Sequence, residues 1–510
     1  MRAKLVDFFR SSFIYIIGMF IVRASGLITM PILTRFLTRD EYGILSVANS
    51  IGFFLLTLFG LGSEEFILRY YWEKDGEERK RLFGSFFILL MVFPFVVFVL
   101  PLLTFGKSIF DVFFSEVPYC PYIVLVIWTT WLLNLNILPL GYYKIRNQAK
   151  EYMLVVFLNT FTNIVFTLVL VVSFGYGALG PLFSKITMTV LFGFYFVYYT
   201  LREITIHLSW KDAKEFFSFN LPLLMALISG SFMNQSAVFV LQKNVPLSEV
   251  ALFSVGASIA GLIPFFISSI NSAWAPFFYQ NVFQKQEDDP SRLFGYTIDY
   301  ILLGVVFIIT AIIVFKSEVI YILASSKYLG VCNVMTILII GNLFFGMRSF
   351  ASRGILMAKK NYILPIVTIV GTLIDFGMKL YFVPRYGIYG AAWTTALSFI
   401  SIYVVLHIIS QKNYKIEFHY DRIVKLVLAF VVTVLLAYLV DGFILAGIPS
   451  YVEPSESRIA DLLLRITLKS LVVVTTYPII LHVLGYFNES ERIAIQKLSK
   501  KILLRSKINV

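Results

Sequence analysis

"PILTRFLTRDEYGILSV" (Pro31–Val47) sets Arg35, Arg39, Asp40 and Glu41 between two long apolar runs. An apolar run, a short charged turn and a second apolar run is the pattern of two helices joined at a membrane face. Thr38 or Asp40 is suited to cap the second helix, and Asp40 and Glu41 lie at the positive end of its dipole. A similar stretch, "VLQKNVPLSEVALFSV" (Val240–Val255), follows much later. There Ser248 and Glu249 are expected to start a helix in the same way.

Composition agrees with a bilayer as the main solvent. The chain is 58% hydrophobic and 14% charged, against about 25% charged for a soluble domain. About fourteen apolar segments reach spanning length, from 12–34 to 460–485. With no water to satisfy backbone groups in the bilayer core, runs of this length are helices. The expected fold is an all-α polytopic membrane protein. The N-terminus reads as an uncleaved first span, because Arg23 interrupts its apolar run and no small-residue cleavage site follows.

Lys and Arg concentrate at one set of span ends, which include Arg2, Lys4, Arg79, Lys80, Arg81, Lys144, Arg146, Lys150, Lys359, Lys360, Lys412 and Lys415. By the positive-inside rule that side is the cytoplasm, and an even number of spans puts both termini there. The asymmetry accounts for the net charge of +13 without a nucleic-acid partner. The tail from Asn488 reads as a basic amphipathic helix on anionic headgroups. Cys120 and Cys332 are expected to be free thiols, and no Cys/His spacing resembles a metal site.

Four matches recur in the same order at a spacing of about 210 residues. Glu41–Ile51 aligns with Glu249–Ile259. "RLFG" occurs at Arg81–Gly84 and Arg292–Gly295, and Lys150-Glu151-Tyr152 aligns with Lys360-Asn361-Tyr362. "YGALG" (Tyr176–Gly180) aligns with "YGIYG" (Tyr386–Gly390). The period holds six spans, so the halves share one orientation, as a parallel pseudo-twofold repeat. The expected domains are a six-helix lobe at 1–210, a second at 211–414, and two further spans with the basic tail at 415–510.

The Pro31–Val47 stretch, "FILRYY" (Phe66–Tyr71) and the "YGxxGA" turn (Tyr386–Ala391) together resemble the polysaccharide transporter, or oligosaccharide flippase, family. This belongs to the multidrug/oligosaccharidyl-lipid/polysaccharide flippase superfamily. The resemblance covers the whole chain. It implies two six-helix lobes around a cavity that opens alternately to each side of the bacterial inner membrane. It also implies a cargo of undecaprenyl-diphosphate-linked oligosaccharide, moved from the cytoplasmic to the outer leaflet for cell-surface polysaccharide synthesis. Glycan polymerases and glycosyltransferases of the same pathway are the implied partners, beside the lipids of the membrane. The implied function is transport, not catalysis.

Such a cargo needs cations for its diphosphate and amide or aromatic groups for its sugars. Arg23 lies about 18 Å into the first span, near the bilayer centre. A charge there faces water or a partner, and a guanidinium suits phosphate. Relatives carry cavity arginines on this span, and an ion pair with Asp375 or Glu64 is the structural alternative. Arg348 and Arg353 are further candidates, with snorkelling to headgroups as the favoured reading. If the first, second, seventh and eighth spans line the cavity, as the resemblance implies, Asn234, Gln235, Asn271 and Trp274 face sugars. Helix–helix hydrogen bonding is the equal alternative. Asp375 and Lys379 are spaced as an intrahelical pair. They, with Glu64 and Asp299, are candidates for coupling to a proton or sodium ion, and no other cofactor is implied. Arg35 and Arg39 are gating candidates, and Arg69 is expected to anchor its span, with Glu65 as its candidate partner.

Two other functions remain open on the sequence. A cation-coupled multidrug exporter of the same superfamily would favour an acidic cavity. A membrane glycan polymerase or acyltransferase would favour a large outer loop with a catalytic set, which Asp441–Ser457 does not offer.

Overall fold

The computed structural model describes residues 25–114, 116–271, 274, 290–443, 457–489 and 491–492. Arg23 and the basic tail beyond 492 lie outside the described residues. The described chain is helical throughout its spans, with no strand among the described residues.

Residues 25–36 form α1. Then come α2 (Arg39–Glu73), α3 (Gly76–Phe113), α4 (Tyr119–Ile145), α5 (Ala149–Ser173), α6 (Leu179–Glu203), α7 (Trp210–Asn244) and α8 (Leu247–Asn271). They are followed by α9 (Pro290–Val314) and α10 (Ser326–Met357). A single run, Ile363–Asn413, turns at Gly387 (φ 54°, ψ −134°) and divides there into α11 and α12. The chain ends with α13 (Tyr420–Phe443) and α14 (Ser457–Val483). These fourteen, with a short helix Lys316–Ala324 between α9 and α10, stand among the described residues, and the fourteen follow the apolar runs. By contacts the chain divides into two compact units. The first holds the chain up to Gly261 with Ile322–Phe345 and Lys360–Leu406. The second holds Leu262–Tyr321, Gly346–Lys359 and His407 onward.

In the first unit the opening stretch does what its residues dictate. Thr38 caps α2, its hydroxyl accepting from the Glu41 N–H while the Glu41 carboxylate accepts from the Thr38 N–H. This reciprocal box satisfies two helix-end donors at once. The later copy starts differently. Pro246 is the N-cap of α8, with no side-chain cap, and Ser248 lies inside the helix. The Pro246 carbonyl takes the N–H of Glu249 at 2.9 Å. Proline presets the entry angle, so the backbone closes the first turn without a serine.

Small residues let the helices approach. A Cβ on Gly43 of α2 would stand 2.2 Å from the carbonyl oxygen of Leu247 on α8. Val47 and Ala48 behind it are fully buried. Lipid supplies no hydrophobic drive between helices, so close backbone contact of this kind does the packing.

The repeated motifs make repeated contacts. A Cβ on Gly84 of α3 would lie 1.9 Å from the carbonyl oxygen of Thr205, in the connector after α6. In the second unit a Cβ on Gly295 of α9 would lie 1.9 Å from the carbonyl oxygen of Glu417, in the connector after α12. Both "RLFG" glycines therefore seat a connector directly on a helix. Gly177 and Gly387, the glycines of the two Tyr-Gly pairs, share φ +54°, a conformation that residues with a Cβ rarely hold.

Within the second unit α9, α13 and α14 pack together. Leu426, Ala429, Tyr477 and Leu481 meet Leu302, Leu303 and Val306 at one level, and Ala437 and Val473 meet Val314 at another. Neither Cys120 nor Cys332 is in a disulfide.

Gly84→Val and Gly295→Val should each destabilise the solubilised protein by about 1–3 kcal/mol through overpacking. Gly304→Ala, where nothing outside its own helix backbone lies within 4 Å of an added Cβ, should not lower the unfolding midpoint and should raise it slightly, since alanine favours the helix over glycine. Thermal unfolding of the three variants checks this.

Candidate functional site

A break in α10 sets the first group of polar residues. The helix stops at Ala351 and restarts at Arg353, with Ser352 between. The Gly354 N–H donates to Ser410 Oγ at 2.9 Å. A Cβ on Gly354 would lie 2.4 Å from that oxygen. This contact fixes the backbone next to Arg353, which is only 7% exposed. Its Nη2 donates to Asn271 Oδ1 at 2.6 Å. Its guanidinium lies 5.9 Å from the ring centre of Trp274. Phe294 and Phe350, at 4.7 and 5.7 Å, hold that indole. Three residues singled out on two spans, Asn271 and Trp274 on one and Arg353 on the other, thus form one cluster.

Arg353 does not snorkel, contrary to expectation. The Ser352 break and the Ser410 contact turn its helix inward, and Asn271 supplies a hydrogen-bond acceptor inside the bundle. Arg348, on the same helix, is half-buried.

The first unit holds a second group. Asp375 and Lys379 on α11 are both fully buried. Lys379 Nζ lies 2.6 and 2.8 Å from the two carboxylate oxygens. Ser236 of α7 completes the set. Its hydroxyl accepts from Lys379 at 2.9 Å and lies 3.0 Å from Asp375 Oδ2. The i, i+4 spacing foretold the pair. Ser236, one turn from other apolar residues, gave no such signal.

The remaining candidates scatter. Asn234 of α7 is exposed and donates to its own helix at Gly230, and Gln235 is half-buried. Arg35 is exposed at the end of α1, donating to the carbonyls of Pro31 and Ile322 at 2.7 and 3.2 Å. Arg39 is exposed at the start of α2. The Glu64 carboxylate is exposed and stands 3.6 Å from Lys144. Arg69 pairs with Glu73 at 3.1 Å, not with Glu65. Glu65 and Glu73 both stand four residues from Arg69 on one helix, so spacing alone does not choose between them.

Asp299, on α9, is buried among cations of the second unit. His419 Nδ1 stands 2.8 Å away and Arg422 Nη1 3.7 Å away. Arg422 also reaches Glu491 at 3.2 Å, and Tyr486 donates to the Asp299 carbonyl. Farther along the same helices, Lys469 of α14 bridges Glu318 and Asp441, each at 2.8 Å. Lys469 and Glu318 were missed in the sequence, although each is a charge within an apolar run, the signal that marked Arg23. Glu491 titrates below the usual glutamate range. Burial raises it, but hydrogen bonds from Tyr300, the Asn488 N–H and Arg422 outweigh that effect.

A family model described as "Polysaccharide biosynthesis protein" matches residues 8–282. "Lsg locus putative protein 1" of Haemophilus influenzae is 23% identical over 287 residues, 54% of this chain and 67% of the relative. Two solved structures share the fold. One is "Lipid II flippase MurJ, inward closed conformation", with a TM-score of 0.71 and 17% identity. It covers 92% of this chain and 98% of its own. The other is an inward-facing multidrug resistance MATE family transporter of the MOP superfamily, with a TM-score of 0.59 and 17% identity. It covers 77% of this chain and 97% of its own.

Lys379→Met should cost about 3–5 kcal/mol by leaving the Asp375 carboxylate buried without its counter-ion. Replacing both as Asp375→Leu with Lys379→Met should restore most of the loss. Chemical unfolding of the two variants checks this.

The Glu491 contacts should stabilise the packing of α9, α13 and α14 at neutral pH. Because its carboxyl is depressed, that stability is full above about pH 4.3 and is lost as pH falls through the folded value. Loss of hydrogen-exchange protection at 485–492, taken relative to the intrinsic rate at each pH, on acidification and absent in Glu491→Gln, checks the assignment.

Proposed function

This chain belongs to the polysaccharide biosynthesis protein family, and we propose that it flips a polyprenyl-diphosphate-linked oligosaccharide between membrane leaflets. The observation that carries this reading is the buried cluster of Arg353, Asn271 and Trp274. A guanidinium offers a flat fork of donors to phosphate, while an amide and an indole suit the hydroxyls and C–H faces of sugars. The fold shared with a lipid II flippase supports the same cargo class. In this reading Arg23 and Arg348 are further cations on the head's path, and Asn234 and Gln235 are sugar contacts. Arg35 and Arg39 gate one face. The six-helix lobes at 1–210 and 211–414 are the moving parts, and 415–510 is an addition to them. The membrane is the bacterial inner membrane, with both termini in the cytoplasm. Glycosyltransferases act before the flippase and a glycan polymerase after it.

Energy coupling falls to the Asp375, Lys379 and Ser236 set. Ser236 can both donate and accept. Protonation of Asp375 would remove the salt bridge, leave the Lys379 ammonium with only neutral oxygens as acceptors, and so loosen α7 from α11. Glu64 is too exposed for this role; Asp299, held by His419 and Arg422 in the second unit, is the second candidate.

A multidrug exporter with the same fold is the alternative. It needs carboxylates available to a cationic drug. Asp375, Asp299 and Glu318, all buried, are each engaged by a basic side chain, which favours an anionic cargo.

Arg353→Ala in vesicles should slow translocation of a polyprenyl-diphosphate-linked glycan by at least about tenfold, with Arg353→Lys intermediate. Wild-type rates in both variants, with normal folding, would remove the cluster from the cargo's path.

A further inference from the structure

The first unit contains a cavity of about 710 Å³ that the proposed head site does not use. It lies among α2, α3, α7 and α11, in the half of the unit where α2 begins and α3 and α7 end. Its size is that of a ligand pocket, not a packing fault. Its walls are hydrocarbon and aromatic, and its polar lining residues are Lys243 and Asn244, both at the end of α7.

Phenylalanine rings keep this space from collapsing. Phe54 meets Phe232 and Phe239 edge-on at 6.0 and 6.1 Å. Phe232 meets Phe376 at 5.1 Å, and Phe239 meets Phe114 at 5.6 Å. Each ring braces the next in a favoured geometry, so no single rotamer change fills the void. The backbone of α3 is also adapted here. After Pro94 it widens to a π-helical turn, Phe95–Val99, that brings Val97 and Phe98 to the wall. Such turns recur at functional sites. Gln242, fully buried, donates to the Phe113 carbonyl and ties the last turn of α3 to α7.

We infer that this cavity binds the hydrocarbon tail of a single-chain polyprenyl phosphate, with its anionic head at Lys243. One amine at that end, beside an amide that already donates to the Val240 carbonyl at 2.7 Å, suits one phosphate. A single chamber, rigid and ring-lined, suits one branched chain better than the paired flexible chains of a glycerophospholipid. The inference rests on the polyprenyl cargo proposed above. It adds a tail site separate from Arg353.

The test uses the full chain in nanodiscs and undecaprenyl phosphate bearing a diazirine on its tail. Photolabelled peptides should come from 97–114 and 232–244. Ile109→Trp, which fills the cavity from an exposed wall position, should lower labelling by at least about fivefold. Leu191→Trp, exposed and outside the cavity, should label as wild type. Lys243→Gln should weaken binding by about threefold to tenfold, and it keeps the test open if Ile109→Trp does not fold. Equal labelling of wild type, Ile109→Trp and Lys243→Gln would overturn the site. So would equal labelling by a diazirine phosphatidylglycerol, which would mean bulk lipid only. A protein that labels as expected but moves no lipid-linked glycan would retain the tail site and lose only the proposed cargo. A protein that moves the glycan without labelling would do the reverse.

Discussion

Charge inside a low-dielectric bundle must be answered locally, and that demand organises both units. Lys379 answers Asp375, Lys469 answers Glu318 and Asp441, and Arg422 answers Asp299 and Glu491. In lipid, apolar side chains gain little by meeting one another instead of acyl chains. A Leu-rich helix can therefore slide or rotate at small cost. A buried lysine cannot, because leaving its carboxylate strands both charges. Lys469 pins α14 beside α13, and Arg422 pins the start of α13 against α9. Ser236 joins α7 to α11 through the Asp375 pair. These pins add more to register than to net stability, since desolvation offsets much of their Coulomb energy.

Glycine supplies the complementary constraint. Charged pins fix which helices are neighbours, and missing side chains fix how near they come. Gly84 and Gly295 each admit a connector's carbonyl at a distance where a methyl group would clash. The same motif makes the same contact at two places about 210 residues apart. Similarity between the halves thus extends from letters to local geometry. Where the letters differ, so does the local solution. Thr38 caps α2 with its side chain, while Pro246 opens α8 with its backbone.

The helices were legible because the bilayer leaves long apolar runs one option. The Asp375–Lys379 pair was legible because i, i+4 neighbours on one helix meet whatever the tertiary fold. Ser236 was not, because nothing along α7 says which helix it will face. The direction of Arg353 was misread for a related reason. Snorkelling assumes a straight helix with a free end. The break at Ser352 and the seating of Gly354 on Ser410 depend on a residue more than fifty positions away. Lys469 and Glu318 carried a usable signal, an isolated charge in an apolar run, yet their pairing spans 151 residues. The aromatic cavity could not be read at all. Phenylalanines on α2, α3, α7 and α11 look alike in sequence whether they face lipid, core or a void.

An amphipathic cargo sets opposite requirements for its two ends. Its head needs fixed donors that replace water, because a phosphate leaving solvent loses more than any apolar surface can return. Its tail needs only room and a surface no better solvated than lipid. One pocket can serve both only where its donors sit at an exposed end, as Lys243 and Asn244 do, since donors set among the tail would be buried unsatisfied. In the reading proposed above, the Arg353 cluster would serve the head of the glycan carrier and the phenylalanine cavity a tail, each within its own unit. The first is rigid through hydrogen bonds to Asn271 and the Gly354–Ser410 contact. The second is rigid through rings that brace one another. Rigidity serves the two ends differently: at the head it holds donors in place before the charge arrives, and at the tail it keeps space from closing.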